Sequence, residues 1–151
     1  MLINKKGAQM KTLIKLLIIT LLFACNLSVL YPQNAAITIN QITVNQKISG
    51  TVRNLDPKEY ANYKVIVYVH TDNWYIHPYA AQGEGLSWVS IGKDGKWQIK
   101  TVQREFRADK VAAILVKKNY PEPNKAETLE SIPRKAMIIR VLTNTQDYGK
   151  L

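Results

Sequence analysis

Seven residues, 64–70 (KVIVYVH), limit the fold more than any other stretch of the chain. Side chains of a pleated strand alternate between two faces, so Val65, Val67 and Val69 share one face and Ile66 and Tyr68 the other. Both faces are apolar. Such a strand must be covered on both sides, which predicts a central position in a sheet rather than a solvated rim.

The same period of two returns elsewhere. Ile37, Ile39 and then Ile42, Val44 alternate with polar residues, and Ile48, Gly50 and Val52 begin a second run beyond Asn45 and Gln46, predicting two strands joined by a turn. Asn54, Asp56 and Pro57 make a turn cluster, with one helical turn over 57–63. Residues 74–79 follow Asp72 and Asn73 as the return arm of a hairpin, and Pro78 ends that arm or confines it to an edge. Gly83 and Gly85 interrupt the chain before the run 86–91. Asp94-Gly95 then predicts a hairpin turn into 97–102, because glycine accepts the positive φ such turns need. Residues 111–116 and 136–142 are the last apolar runs, and 127–132 suits a short helical turn ended by Pro133. Seven or so strands at this spacing predict an all-β fold, a two-sheet sandwich of immunoglobulin-like or fibronectin type III-like form.

The N-terminal part has a different character. Residues 10–25, MKTLIKLLIITLLFAC, lead from Lys11 and Lys15 through an apolar stretch, broken only by Thr20, to the single cysteine. That is the layout of an export signal. The uninterrupted stretch is short of the roughly 20 apolar residues a membrane span needs. Leu22, Phe23, Ala24 and Cys25 resemble the lipobox of bacterial lipoproteins. The resemblance implies cleavage before Cys25, lipidation of its sulfur, and a chain anchored in the cell envelope, facing the periplasm or the exterior. Two or three acyl chains hold stably where one binds only marginally.

The expected organisation is therefore a signal peptide over 1–24, a lipidated tether over 25–36 and a β-sandwich domain over 37–151, with translation starting at Met1 or Met10. Two other readings use the same residues. Leu27, Val29, Leu30 and Tyr31 extend the apolar character, so that 13–31 would serve as an uncleaved anchor with Lys11 and Lys15 inside. Cleavage near Ala35 or Ala36 would instead give a secreted protein.

Of the formal charge of +10, four units belong to Lys5, Lys6, Lys11 and Lys15, leaving +6 beyond Cys25 with no block of five or more like charges. That excess is either a solvated basic surface or an attraction for anionic headgroups or acidic polysaccharide. Nucleic acid is not an expected partner of an exported chain. With its only cysteine in the leader, the domain has no internal disulfide and depends on packing.

Five large aromatic residues, Trp74, Tyr75, Tyr79, Trp88 and Trp97, fall within 24 positions. Aromatic faces stack on the C–H faces of sugar rings and anchor interfaces. Alternation puts Trp97 on the face of Ile99 and so in the core, while Trp74 and Tyr79, beside turn residues and Pro78, are expected to be more exposed. Trp74, Tyr75, Tyr79 and Trp88 are the candidate ligand-binding residues. The competing reading is that each plugs the core of a sandwich.

The sequence offers little for catalysis. His70 and His77 are the only histidines, too few with no domain cysteine to make a zinc set, and no cofactor is expected. Glu84, Asp94, Glu105 and Asp109 fall in predicted loops without the pairing that carboxylate catalysis requires. No nucleophile-elbow or phosphate-loop motif is present.

A second resemblance spans residues 45–123. Trp74, Pro78, Tyr79 and Ala80, then Ile91, Asp94, Gly95 and Trp97, then Val111, Ala112, Ala113 and Leu115, then Tyr120 and Pro121, resemble a β-sandwich module of bacterial secreted and surface proteins that often accompanies glycoside hydrolase domains. It implies an accessory module outside the cytoplasm without an active site of its own. The expectation is a non-enzymatic cell-envelope lipoprotein, a binding module for a glycan or partner protein. Its alternatives are a structural or assembly subunit that pairs through a sheet edge, a single-pass anchored spacer, or a small hydrolase with an unfamiliar acid site.

Overall fold

A computed structural model describes residues 34–43, 46–78, 86–102 and 107–142. The leader with Cys25, most of the tether and Tyr79 lie outside the described residues. Among those described, the strands are β1 (Ala36–Thr43), β2 (Lys47–Arg53), β3 (Tyr63–His70), β4 (Trp74–Ile76), β5 (Trp88–Val89), β6 (Lys96–Lys100), β7 (Lys110–Lys117), β8 (Lys125–Ala126) and β9 (Ala136–Val141). One antiparallel sheet has the order β1-β2-β6. The other has the order β8-β4-β3-β7-β9, with β5 also paired to β3.

The expected all-β sandwich is what forms. β3 is buried from Tyr63 through Val69, and its two faces enter two different cores. Val65, Val67 and Val69, with Val111, Ala113 and Leu115 of β7, meet Ile37, Ile48, Val52, Trp97 and Ile99 of the three-stranded sheet. Trp97 is 2 % exposed, as its phase with Ile99 predicted.

The phase change in β1, from Ile37 and Ile39 to Ile42, comes from an irregularity. The register slips between Ile39, opposite Gly50, and Gln41, opposite Ser49. One extra residue in a strand reverses the facing of everything after it. Gly50 is fixed by close approach: a Cβ there would stand 1.8 Å from the Thr38 carbonyl oxygen and 2.6 Å from Cζ2 of Trp97.

On its outer face β3 offers Ile66 and Tyr68, which pack with Ala112, Ile114 and Val116 of β7 and with Leu129 and Ile132 of the connection from β7 to β9. The topology explains this cover. β8 and β9 lie at opposite edges of the larger sheet, about 19 Å apart at ordinary strand spacing. The residues between them, 127–135, reach at most about 30 Å when extended, so they cross the sheet with little slack and form a roof. Arg134 stitches the roof together: its Nη1 donates to the carbonyls of Leu129, Glu130 and Ile132 at 3.0, 3.1 and 3.1 Å. The helical turn expected over 127–132 is a roof segment instead, with one turn bond from Ile132 N–H to the Leu129 carbonyl (3.2 Å).

Asp94-Gly95 also departs from expectation. Gly95 has φ +77° and the local turn closes, Gly92 N–H to Lys96 O at 2.7 Å. The flanking runs do not pair as a hairpin, however. β5 joins β3, and β6 joins β2. Val52 N–H donates to the Gly95 carbonyl at 2.8 Å, which ties the turn to β2 and makes it a corner between sheets.

Candidate functional site

The expected exposure of Trp74 is corrected by the structure, which leaves it 8 % exposed. A short turn over Thr71, Asp72 and Asn73 sets Trp74 opposite His70 and Ile76 opposite Tyr68, so Trp74 takes the face of the outer core. Its ring meets that of His70 edge-on, with centroids 4.9 Å apart.

Tyr75 points to the other side, half-buried against the inter-sheet core. Lys125 Nζ lies 5.7 Å from its ring, and its hydroxyl donates to Asp72 Oδ2 at 3.3 Å. Hydrogen bonds from Thr71 and Asn73 hold the Asp72 carboxyl down to about 2. Trp74 and Tyr75 therefore do not share a platform.

Trp88 belongs to the outer face beside Ile66, half-buried at the margin of that core. Two cations address its ring. Lys118 Nζ stands 3.6 Å from the centroid and Lys64 Nζ 5.6 Å, both within the range of cation–π attraction. Lys64 is only 5 % exposed despite its charge, and it is paired with Glu122. Lys118 is exposed and also donates to Ser90 Oγ at 3.3 Å.

Through Lys118 and Ser90 this arrangement borders a groove of about 750 Å³, a size typical of ligand sites. One side is the 3-10 helix Pro57–Asn62, whose start is capped by Asp56 Oδ1 accepting from Lys58 N–H at 2.9 Å. The helix contributes Lys58 and Tyr60. Tyr63 and Ile91 make the floor, and Lys93 and Lys118 complete the wall. Lys117 Nζ lies 4.4 Å from the ring of Tyr63. The lining holds three lysines and no carboxylate; Glu59, on the same helix, is outside it. Neither Lys58 nor Lys93 forms an ion pair among the described residues.

The groove was not legible beforehand. Lys58, Lys93 and Lys118 are far apart in the chain, and only the crossing of the strands unites them. Trp88 was the one candidate residue that pointed toward it.

Both histidines are held in the scaffold. His70 Nδ1 lies 2.6 Å from Asp109 Oδ1. His77 is buried, and its Nε2 accepts from Val102 N–H at 3.2 Å. Among the described residues no three His, Cys, Asp or Glu side chains converge as a metal site, and no helix is long and apolar enough to cross a membrane. The arrangement can hold an anion beside aromatic surface. No family model, curated protein or solved structure matches the chain.

Proposed function

We propose that the chain is a non-enzymatic lipoprotein of the bacterial cell envelope, lipidated at Cys25, whose β-sandwich binds a glycan or a partner protein. The observation that carries the binding reading is the groove beside Trp88, concave, with half-buried Tyr60 on one side and Tyr63 and Ile91 as its floor. Such a surface suits a sugar face. The order β1-β2-β6 against β4-β3-β7-β9 supports the narrower immunoglobulin-like reading, in which the first, second and fifth main strands face the rest. The leader, with Leu22-Phe23-Ala24-Cys25, supports the envelope location.

Two measurements test this. In cells given an acyl-chain probe, the wild type should be labelled and Cys25→Ala should not; equal labelling rejects the lipoprotein. In affinity electrophoresis through neutral and charged polysaccharides, Tyr60→Ala should weaken retardation, and no retardation by any polymer rejects glycan binding.

One observation favours the assembly reading as a second possibility. β9 ends its sheet among the described residues, and on its outer face Ile139 and Val141 are 38 % and 59 % exposed. An exposed apolar edge strand is a template for pairing with another chain. Val141→Lys should abolish any self-association seen by sedimentation.

A further inference from the structure

We infer that the groove is selective for an acidic glycan, one whose sugars carry carboxylates, with Lys58, Lys93 and Lys118 as its anion-recognising residues. The inference rests on the glycan-binding reading and names its ligand class. Three features of the groove carry it.

The first is charge. Three lysines and no acidic residue are among the residues that line it. Two acids near it in the chain or fold are already engaged: Asp94, next to Lys93, pairs with Lys96, and Glu122 pairs with Lys64. Lys58 and Lys93 have no acidic partner among the described residues, so their field is directed at whatever enters.

The second is preorganisation. A free lysine loses rotamer entropy when it grips a ligand. Lys118 is partly spared this, because the Trp88 ring and Ser90 Oγ already hold its ammonium at the rim. A cation–π contact leaves other N–H groups of the ammonium available to an incoming carboxylate.

The third is shape. The lysines line a concave site that also holds the half-buried ring of Tyr60 above Tyr63 and Ile91. A sugar chain with acid substituents offers both C–H faces and carboxylates to such a surface. A lipid headgroup layer is broad and would favour lysines on a protruding surface instead. The site therefore fits an acidic polysaccharide better than a membrane.

The test uses the purified full-length chain and sodium polygalacturonate as the probe, with dextran as the neutral polymer, both read by affinity electrophoresis. Wild type should bind polygalacturonate, more weakly as salt rises. Lys58→Gln combined with Lys93→Gln should weaken binding about tenfold. The charge-matched pair Lys47→Gln with Lys100→Gln, on the other sheet, should leave it near wild type.

Equal loss in the two double variants would mean attraction to net charge alone and would overturn the site. Retardation by dextran but not polygalacturonate would overturn acid selectivity while leaving glycan binding intact. Binding to neither polymer would overturn the inference, and the broader reading falls only if the wider polysaccharide set also fails. A preference for phosphatidylglycerol over phosphatidylcholine vesicles, lost in Lys58→Gln/Lys93→Gln while polygalacturonate binding persists, would assign the lysines to a membrane and overturn it as well.

Discussion

Lys118 Nζ lies 3.6 Å from the centroid of the Trp88 ring, so one half-buried indole ties the margin of the outer core to the rim of a basic groove. Lys64 approaches the same ring at 5.6 Å from a buried position. The two cations differ in what neutralises them. Lys64 has Glu122; among the described residues Lys118 has the ring and a serine hydroxyl.

If the Trp88–Lys118 contact is energetic, a double-mutant cycle will show it. Trp88→Leu keeps an apolar group on the outer core and should cost about 1 to 2 kcal/mol in urea denaturation. Lys118→Met should cost about 0.5 kcal/mol in the wild type and nothing further in Trp88→Leu. Strict additivity would show that the contact contributes no stability.

The pair of buried Lys64 with half-buried Glu122 gives a sharper expectation. Glu122→Ala strands the Lys64 ammonium at 5 % exposure and should cost about 3 kcal/mol. Replacing both partners, Lys64→Met with Glu122→Leu, should recover most of that loss, since no unpaired charge remains. The readout is the denaturation midpoint of each variant at neutral pH.

Gly50→Ala should be among the most damaging single changes in the domain. The added carbon would fall 1.8 Å from a backbone oxygen of β1, which cannot rotate away as a side chain can. Either β1 or the Trp97 ring must move, at about 3 kcal/mol or more. A thermal melt within a few degrees of wild type would contradict the packing described.

Tyr68 makes stability depend on alkaline pH. Burial, reinforced by Tyr120 and Glu122, pushes its phenol far above the ordinary 10.0, and its hydroxyl donates to the Pro123 carbonyl at 2.6 Å. The folded state then keeps a proton that the unfolded chain releases above about pH 10. This contribution is complete below pH 10 and declines as pH rises beyond it. Tyr68→Phe should lower stability by about 1 kcal/mol at pH 8 while flattening the loss between pH 10 and 12. An unchanged alkaline slope would remove Tyr68 as its source.

Much of the scaffold could be read from alternation, because strands buried on one or both faces leave a local record. Residues 64–70 announced a central strand, and Ile99 placed Trp97 inside. Trp74 was misjudged because adjacent turn residues suggested exposure, whereas the brief turn fixes its register opposite His70. The roof left almost no trace, since Leu129 and Ile132 are isolated apolar residues in a polar segment without a period. Lys64 gave none at all, because its burial depends on Glu122, 58 positions away. The groove depends on contacts of the same long range.

The roof changes how the domain can vary over evolutionary time. With the segment that leads into it, which leaves β7 at Lys118 and carries Glu122, it covers a core separate from the one between the sheets. Substitutions, insertions or shortening in 118–135 can therefore reshape the wall behind Trp88 while the inter-sheet packing continues to specify the fold. The inter-sheet core is then a fixed chassis and the covering segment a replaceable panel, so the outer face can change without redesigning how the domain folds.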